Sequence, residues 1–249
     1  MSPARHTIAI ASGKGGVGKS TVPLNLAVAL QRGGVRVGLL DADFYGPDIP
    51  LMINLKRDAT LKRWDVWRAG AVRLEPVEWN GIRLMSVGFL IGEHQSLPFT
   101  AQSLGIALQQ FVGGTDWGEL EFLLVDLPPG TADLQDHVAR TLDLSGAVIV
   151  VGPQDAAHLD AKRVVEHLRS VNVRILGAVE NMRGLVCPHC GETVDVFTPV
   201  RNDRSIWSLG VERLATLPID PALGRAPNGD VPDAFRGLAQ AVRDAVSDP

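Results

Sequence analysis

Two short stretches of this chain carry residues able to do chemistry. The first, ASGKGGVGKST at 11–21, fits G-x-x-x-x-G-K-[ST] through Gly13, Gly18, Lys19 and Ser20. Gly13, Gly15, Gly16 and Gly18, with Val17 among them, let consecutive backbone N–H groups turn inward around an anion without Cβ clashes. A helix starting directly afterwards adds its positive end. Lys19 then reaches the β- and γ-phosphates of a nucleotide, Ser20 offers its hydroxyl to Mg²⁺, and Thr21 offers one to the α-phosphate. A second lysine, Lys14, makes this a variant of the motif.

The second stretch, CPHCGE at 187–192, contains both of the chain's cysteines, Cys187 and Cys190. Two thiolates are half of the set that a tetrahedral zinc or an iron–sulfur cluster takes. The glycine after the second cysteine allows the tight turn of a metal knuckle. The residues alone leave four readings open: an iron–sulfur cluster completed by other thiolates, zinc in the same cage, a thiol–disulfide pair, and inert thiols. The extended ETVDVF that follows does not match the helix N-terminus on which redox pairs usually sit. His189, between the cysteines, reads as exposed rather than as a ligand.

These residues need a scaffold, and the patterning predicts one. His6–Ala11, Val35–Leu40, Leu120–Asp126, Gly146–Val151 and Val173–Glu180 read as strands, several of them continuous apolar runs covered on both faces. Helical patterns at 19–32, about 133–142 and 158–171 alternate with them. An amphipathic helix follows at 232–246, with Pro232 near its start. Strand–helix alternation at this spacing predicts an α/β fold, a mostly parallel sheet with helices on both faces. Residues 54–83, with Trp64, Trp67 and Trp79, read as an insertion of short extended pieces. Residues 182–202 show no helix signal. The chain reads as a single domain, 1–249, with a CPHC-bearing hairpin at about 182–200.

In such a fold ligands bind beyond the C-terminal ends of the strands. Asp41 and Asp43 follow VRVGLL there: Asp43 is the candidate to orient an attacking water, and Asp41 to support Mg²⁺. Asp126 ends LEFLLVD, the place of a Walker B carboxylate, and the rigid PPG turn after it is a candidate γ-phosphate sensor. Asn181 follows the strand VRILGAVE and carries both a donor and an acceptor, which suits an adenine edge.

The 249 residues carry a net charge of −4 with both signs interspersed, which argues against broad nucleic-acid or anionic-membrane binding. Two cysteines make no disulfide scaffold. MSPARHTIAIAS lacks the apolar core of a signal peptide, and GAVIVVG is too short to span a bilayer. A cytoplasmic protein with neither nucleic acid nor membrane as partner is the expectation.

GKGGVGKST, DADFYGPDIP, VDLPPGTAD, SGAVIVVGPQDAAHLDAKR, VNVRILGAVENM and CPHCGE together resemble the Mrp/ApbC group of P-loop ATPases, bacterial relatives of the Nbp and Ind iron–sulfur carriers. The resemblance runs from about residue 6 to the C-terminal helix. It implies the deviant Walker A fold shared with MinD, ParA and the nitrogenase iron protein. It also implies a homodimer that hydrolyses ATP slowly, assembles a [4Fe–4S] cluster between its subunits and passes it to apo-proteins. By position, Gly13 to Thr21 would bind ATP and Mg²⁺, and Lys14 would act across the dimer on the partner's nucleotide. Asp43 and Asp126 would serve hydrolysis, Asn181 would read adenine, and Cys187 and Cys190 would ligate the cluster, two thiolates from each chain. Coupling of ATP to the cluster would run through the DADFYGPDIP and DLPPGTAD segments and the sheet. The chain departs from the group's usual sequence at STVPLNL, SLPFTAQS (96–103) and FTPVRNDRS (197–205). The alternatives are a MinD- or ParA-like positioning ATPase, an ATP-driven nitrogenase-type reductase, and a zinc-stabilised nucleotide-switch dimer. The MinD-like one requires a basic amphipathic membrane helix, which the C-terminal segment, with Asp233, Asp244 and Asp248, does not resemble.

Overall fold

The computed structural model describes residues 3–55, 74–89, 101–130, 135, 138–139, 141–187, 189–220, 223 and 231–247. Its centre is an eight-stranded sheet in the order β10-β7-β6-β1-β5-β2-β4-β3. The strands are β1 (Ala4–Ser12), β2 (Val37–Asp41), β3 (Val77–Trp79), β4 (Ile82–Ser86), β5 (Leu120–Asp126), β6 (Gly146–Val151), β7 (Ile175–Glu180) and β10 (Arg213–Thr216). All neighbours pair in parallel except β3 with β4. The central strands are buried on both faces. Ile8, Ile10, Leu123, Leu124 and Val148 to Val151 are among the fully buried residues, which explains why these runs are apolar without alternation.

The order places β5 and β6 on opposite sides of β1. That is the topological switch point, where a crevice opens beyond the strand ends. Four described helices of three or more turns, α1 (Thr21–Arg32), α3 (Ala101–Gly113), α4 (Asp155–Ser170) and α5 (Asp233–Ser247), accompany the sheet, with a single turn, α2 (Ile49–Met52). The β1-to-β2 and β6-to-β7 crossovers run in opposite directions across the sheet, so right-handed connections put α1 and α4 on opposite faces. The C-terminal helix α5 packs on α1, β7 and β10. Its amphipathic stripe of Phe235, Leu238, Ala239 and Val242 is buried there, so the face a membrane-binding helix would need lies in the core.

Several elements differ from the sequence expectation. The first helix starts at Thr21 rather than at residue 19, because Lys19 and Ser20 belong to the turn that leads into it. Pro23 falls within its first turn, where the missing N–H has little to lose. The segment 54–83 is not wholly an insertion: Ile82–Ser86 is a main-sheet strand parallel to β2. Its Arg83 interrupts the apolar run, which hid it. Strand β10 and helix α3 also went unflagged. The former is a four-residue edge strand with only partial burial, which leaves no apolar signature. Trp64 and Trp67, and half of the predicted helix at 133–142, lie outside the described residues; Gln135, Val138, Ala139 and Thr141 within it are helical.

Candidate functional site

The P-loop is shaped by close approaches on two sides. A Cβ at Gly13 would overlap the α4 backbone at Asp160 and Ala161, so that glycine lets α4 abut the loop. Gly18 has φ 83°, and a side chain there would strike the Asn181 amide. Asn181, itself buried, donates from Nδ2 to the Val17 carbonyl at 2.9 Å. It is therefore a strut between the end of β7 and the loop, a role its sequence position did not indicate. Its side-chain oxygen takes no hydrogen bond from the described residues. The tops of Gly15 and Gly16 are open, with nothing within 4 Å of an added Cβ.

Register brings the carboxylates together. Asp41 and Asp126 are directly paired residues at the ends of β2 and β5, and the Ala42 N–H donates to the Asp126 carbonyl at 2.9 Å. Lys19 is buried with them. Its Nζ lies 2.7 Å from Asp126 Oδ1, 3.4 Å from Asp43 Oδ2 and 3.3 Å from Ser20 Oγ. Asp41 accepts from the Asp43 N–H through Oδ1 at 3.2 Å and from the Ser86 hydroxyl through Oδ2 at 2.9 Å. Burial, reinforced by the Asp126 charge, raises the Asp41 carboxyl well above the usual range. Burial also raises Asp126, against the pull of Lys19. Lys19 is raised on balance: desolvation lowers it, but Asp126, Asp43 and Asp41 outweigh that. Three carboxylates thus share one ammonium. Asp126 Oδ2 is fully buried with no hydrogen-bond partner among the described residues.

Above this cluster is a cavity of about 400 Å³, lined by Gly15, Gly16, Lys19, Ser20, Thr21 and Asp43 among others. Pro129, from the PPG turn read as a γ-phosphate sensor, also lines it, as do Asp48 and Met182, which had been assigned no role. Asp48 was legible as the acid within GPD, yet only the α2 turn places it here. Ser86, the buried partner of Asp41, had no sequence signal. Lys14 is absent from the lining and its ammonium has no partner among the described residues, although Ser12 Oγ donates to its carbonyl at 3.1 Å.

The cysteines sit elsewhere, at the tip of the β8 (Leu185–Val186) and β9 (Thr193–Val194) hairpin. Cys190 is exposed, Cys187 is half-buried, and both are free thiols. The Cys187 N–H donates to the Glu192 carbonyl at 2.8 Å and the Gly191 N–H to the Cys187 carbonyl at 2.9 Å, closing the knuckle. Hydrogen bonds from the backbones of Cys190 and His189, then from the Cys190 side chain, hold the Cys187 thiol below its ordinary range. A sulfur so surrounded favours the thiolate that ligates metal. Leu185, Val186, Val194 and Val196 around it are exposed. Among the described residues, no three His, Cys, Asp or Glu side chains gather as a metal-holding group. The predicted ligands are thus brought together as a pair and no further.

The divergent 197–205 loop is drawn onto α4. Arg204 pairs with Asp155 at 2.6 Å, and Lys162 donates to the Asp203 carbonyl at 2.9 Å and the Ser208 hydroxyl at 2.8 Å. Beneath them, buried His158 accepts the Ile206 N–H through Nδ1 at 3.2 Å and leaves Nε2 without a partner. Burial, then the Arg213 charge, lowers His158 to about 4. The folded state therefore resists a proton that the unfolded chain takes near 6.5. Stability should fall as pH drops from 6.5 towards 4, by about 2 kcal/mol once solvent screening is allowed for. Urea unfolding across that range should show the slope in the native chain and lose most of it in His158→Gln.

A family model described as ParA, the NUBPL iron-transfer P-loop NTPase, matches residues 3–245. The chain belongs to this family. An "Iron-sulfur cluster carrier protein" of Deinococcus radiodurans is 44% identical over 98% of this chain and 70% of its own. One of Aquifex aeolicus is 38% identical over 97% of this chain and 68% of its own. Among solved structures, a nucleotide-binding protein of Archaeoglobus fulgidus in complex with ADP is 35% identical, with a TM-score of 0.76, covering 94% of this chain and 91% of that one. The cell division ATPase MinD of Pyrococcus furiosus, at 23% identity and a TM-score of 0.69 over 96% of this chain and 99% of that one, shares the fold. Membership of this family accords with a cysteine knuckle on the hairpin. Among the described residues, no helix is long and apolar enough to cross a membrane.

Proposed function

We propose that the chain is a slow ATPase that carries a [4Fe–4S] cluster between two copies of itself and hands it to apo-proteins. The supporting observation is the knuckle: two accessible thiols per chain, with backbone N–H groups turned to the Cys187 sulfur, on the same molecule as a shaped phosphate nest. Two chains supply the four thiolates that such a cluster takes. The cluster is cargo, held by Cys187 and Cys190 of each subunit.

The nucleotide site fits ATP and Mg²⁺. The open nest of Gly15 and Gly16 leaves room for phosphate oxygens, and Asp126 Oδ2, buried without a partner, is an acceptor that a Mg²⁺-bound water could use. Ser20 would hold the ion, with Asp41 and Asp126 behind it. When bound, Mg²⁺ neutralises phosphate charge. Lys19 leaves the carboxylates for the β- and γ-phosphates. Asp43 is then released to orient the attacking water. Thr21 holds the α-phosphate, and the free carbonyl of Asn181 takes a donor on the adenine edge. Lys14, outside its own cavity, reaches the partner's nucleotide.

Anaerobic reconstitution with iron and sulfide tests the reading. About four irons and four sulfides per dimer are expected, with a broad visible absorption lost in Cys187→Ala/Cys190→Ala. Zinc alone holding the dimer, or no metal at all, would reject cluster carriage and leave a nucleotide switch.

A further inference from the structure

Between the nucleotide cavity and the thiols lies a short run of backbone with an unusual start. Met182 lines the cavity and has φ 59°, the left-handed region that a methionine avoids. A residue held there is over-determined by its neighbours, and such outliers concentrate at ligand clamps and switches. Both neighbours of Met182 are clamped. Before it, Asn181 donates from its backbone to the Val151 carbonyl at 2.8 Å and from its side chain to Val17 of the P-loop. After it, the Arg183 N–H donates to the Leu217 carbonyl at 2.8 Å. The Met182 side chain reaches towards Gly18, beside the volume that a nucleotide would fill.

From Met182 to the first cysteine there is little slack. Arg183 pairs with Asp195 across the hairpin at 3.5 Å. Gly184, also left-handed at φ 74°, packs on the Thr193 side chain, and its carbonyl accepts the Ile219 N–H at 2.8 Å. Leu185 and Val186 then pair with Val194 and Thr193, and Cys187 closes on Glu192. A rotation at Met182 therefore has no loop in which to dissipate. This route is covalent and far shorter than one through the 41–50 and 126–130 segments and the sheet.

We propose that Met182 is a positioning residue through which nucleotide occupancy sets the geometry and exposure of the Cys187 and Cys190 thiols, the 182–187 strap acting as the lever. The proposal rests on the carrier reading and names how its two sites communicate. A nucleotide that displaces the Met182 side chain shifts the balance between its left-handed and relaxed backbone states, and the strap turns the knuckle with it.

The test is the rate at which iodoacetamide alkylates each thiol of the reduced, metal-free full chain, read by mass spectrometry. It is run with and without Mg²⁺ and a non-hydrolysable ATP analogue at saturation. In the native chain the analogue should change the rate by about fivefold or more, the lower end of ordinary site-to-site coupling. Met182→Gly, which accepts the backbone angle without strain, should lose that response. Gly184→Ala, strained and crowded against Thr193 but outside the cavity, should lose it while binding the analogue with native affinity. Melting curves confirm that each variant is folded. Native thiols indifferent to the analogue, or a native-like response in Met182→Gly, would overturn the proposal. If reconstitution yields a cluster but the thiols ignore nucleotide, the coupling fails and the carrier reading stands. If no cluster forms, the carrier reading fails by itself.

Discussion

Lys19→Ala should lower affinity for Mg²⁺–ADP by at least about a hundredfold, and should also destabilise the ligand-free fold by about 3 kcal/mol. The two losses have separate causes. The first would be removal of the cation proposed to meet the phosphates. The second is specific to this arrangement: Asp126 is fully buried, its Oδ1 is 2.7 Å from the lysine, and its Oδ2 has no partner. Taking away the ammonium leaves a buried carboxylate uncompensated, with Asp41 beside it in the sheet. Breaking one side of a buried pair costs more than the pair contributes. The double variant Lys19→Ala/Asp126→Asn should therefore regain most of the stability and none of the affinity. Calorimetric titration with ADP and urea unfolding read the two quantities. Native-like affinity in Lys19→Ala, or no recovery in the double variant, would refute the assignment.

Lys14→Ala should leave nucleotide affinity within about threefold of native and reduce ATP turnover by about a thousandfold, the scale of an arginine finger supplied in trans. The lysine is absent from its own cavity and its ammonium is unpartnered among the described residues, so it contributes little to binding within one chain. Mixing makes the test specific. In the proposed dimer a Lys14→Ala subunit would keep its own site but donate nothing; a Lys19→Ala subunit would lack a working site but still donate Lys14. At equal mixing, random assortment should restore about a quarter of native turnover. No recovery in the mixture, with mixed dimers verified by mass, would place Lys14 in its own site.

The scaffold was legible where burial is extreme. β5 and β6 occur at the predicted residues, because a strand covered on both faces must be apolar throughout. β4 and β10 escaped notice: one is short and interrupted by Arg83, the other lies at the sheet edge with half-exposed side chains. Edge strands are defined by hydrogen bonds to a neighbour, which leave no mark on composition.

The same division runs through the site. The candidates for the phosphate loop, the acids after β2 and β5 and the cysteine pair were drawn from residue type and local spacing, since glycine geometry, thiolate chemistry and helix polarity act over a few residues. Which groups meet was decided by the register of distant strands. Sheet pairing alone sets Asp41 beside Asp126 and lets Lys19 bridge Asp126 to Asp43. It brings Ser86 under Asp41, and the end of β7 close enough for Asn181 to brace Val17. The left-handed turn at Met182, clamped on both sides, likewise exists only because β7 and β10 end where they do. Long-range hydrogen bonding and close packing, not local preference, hold a methionine in that conformation.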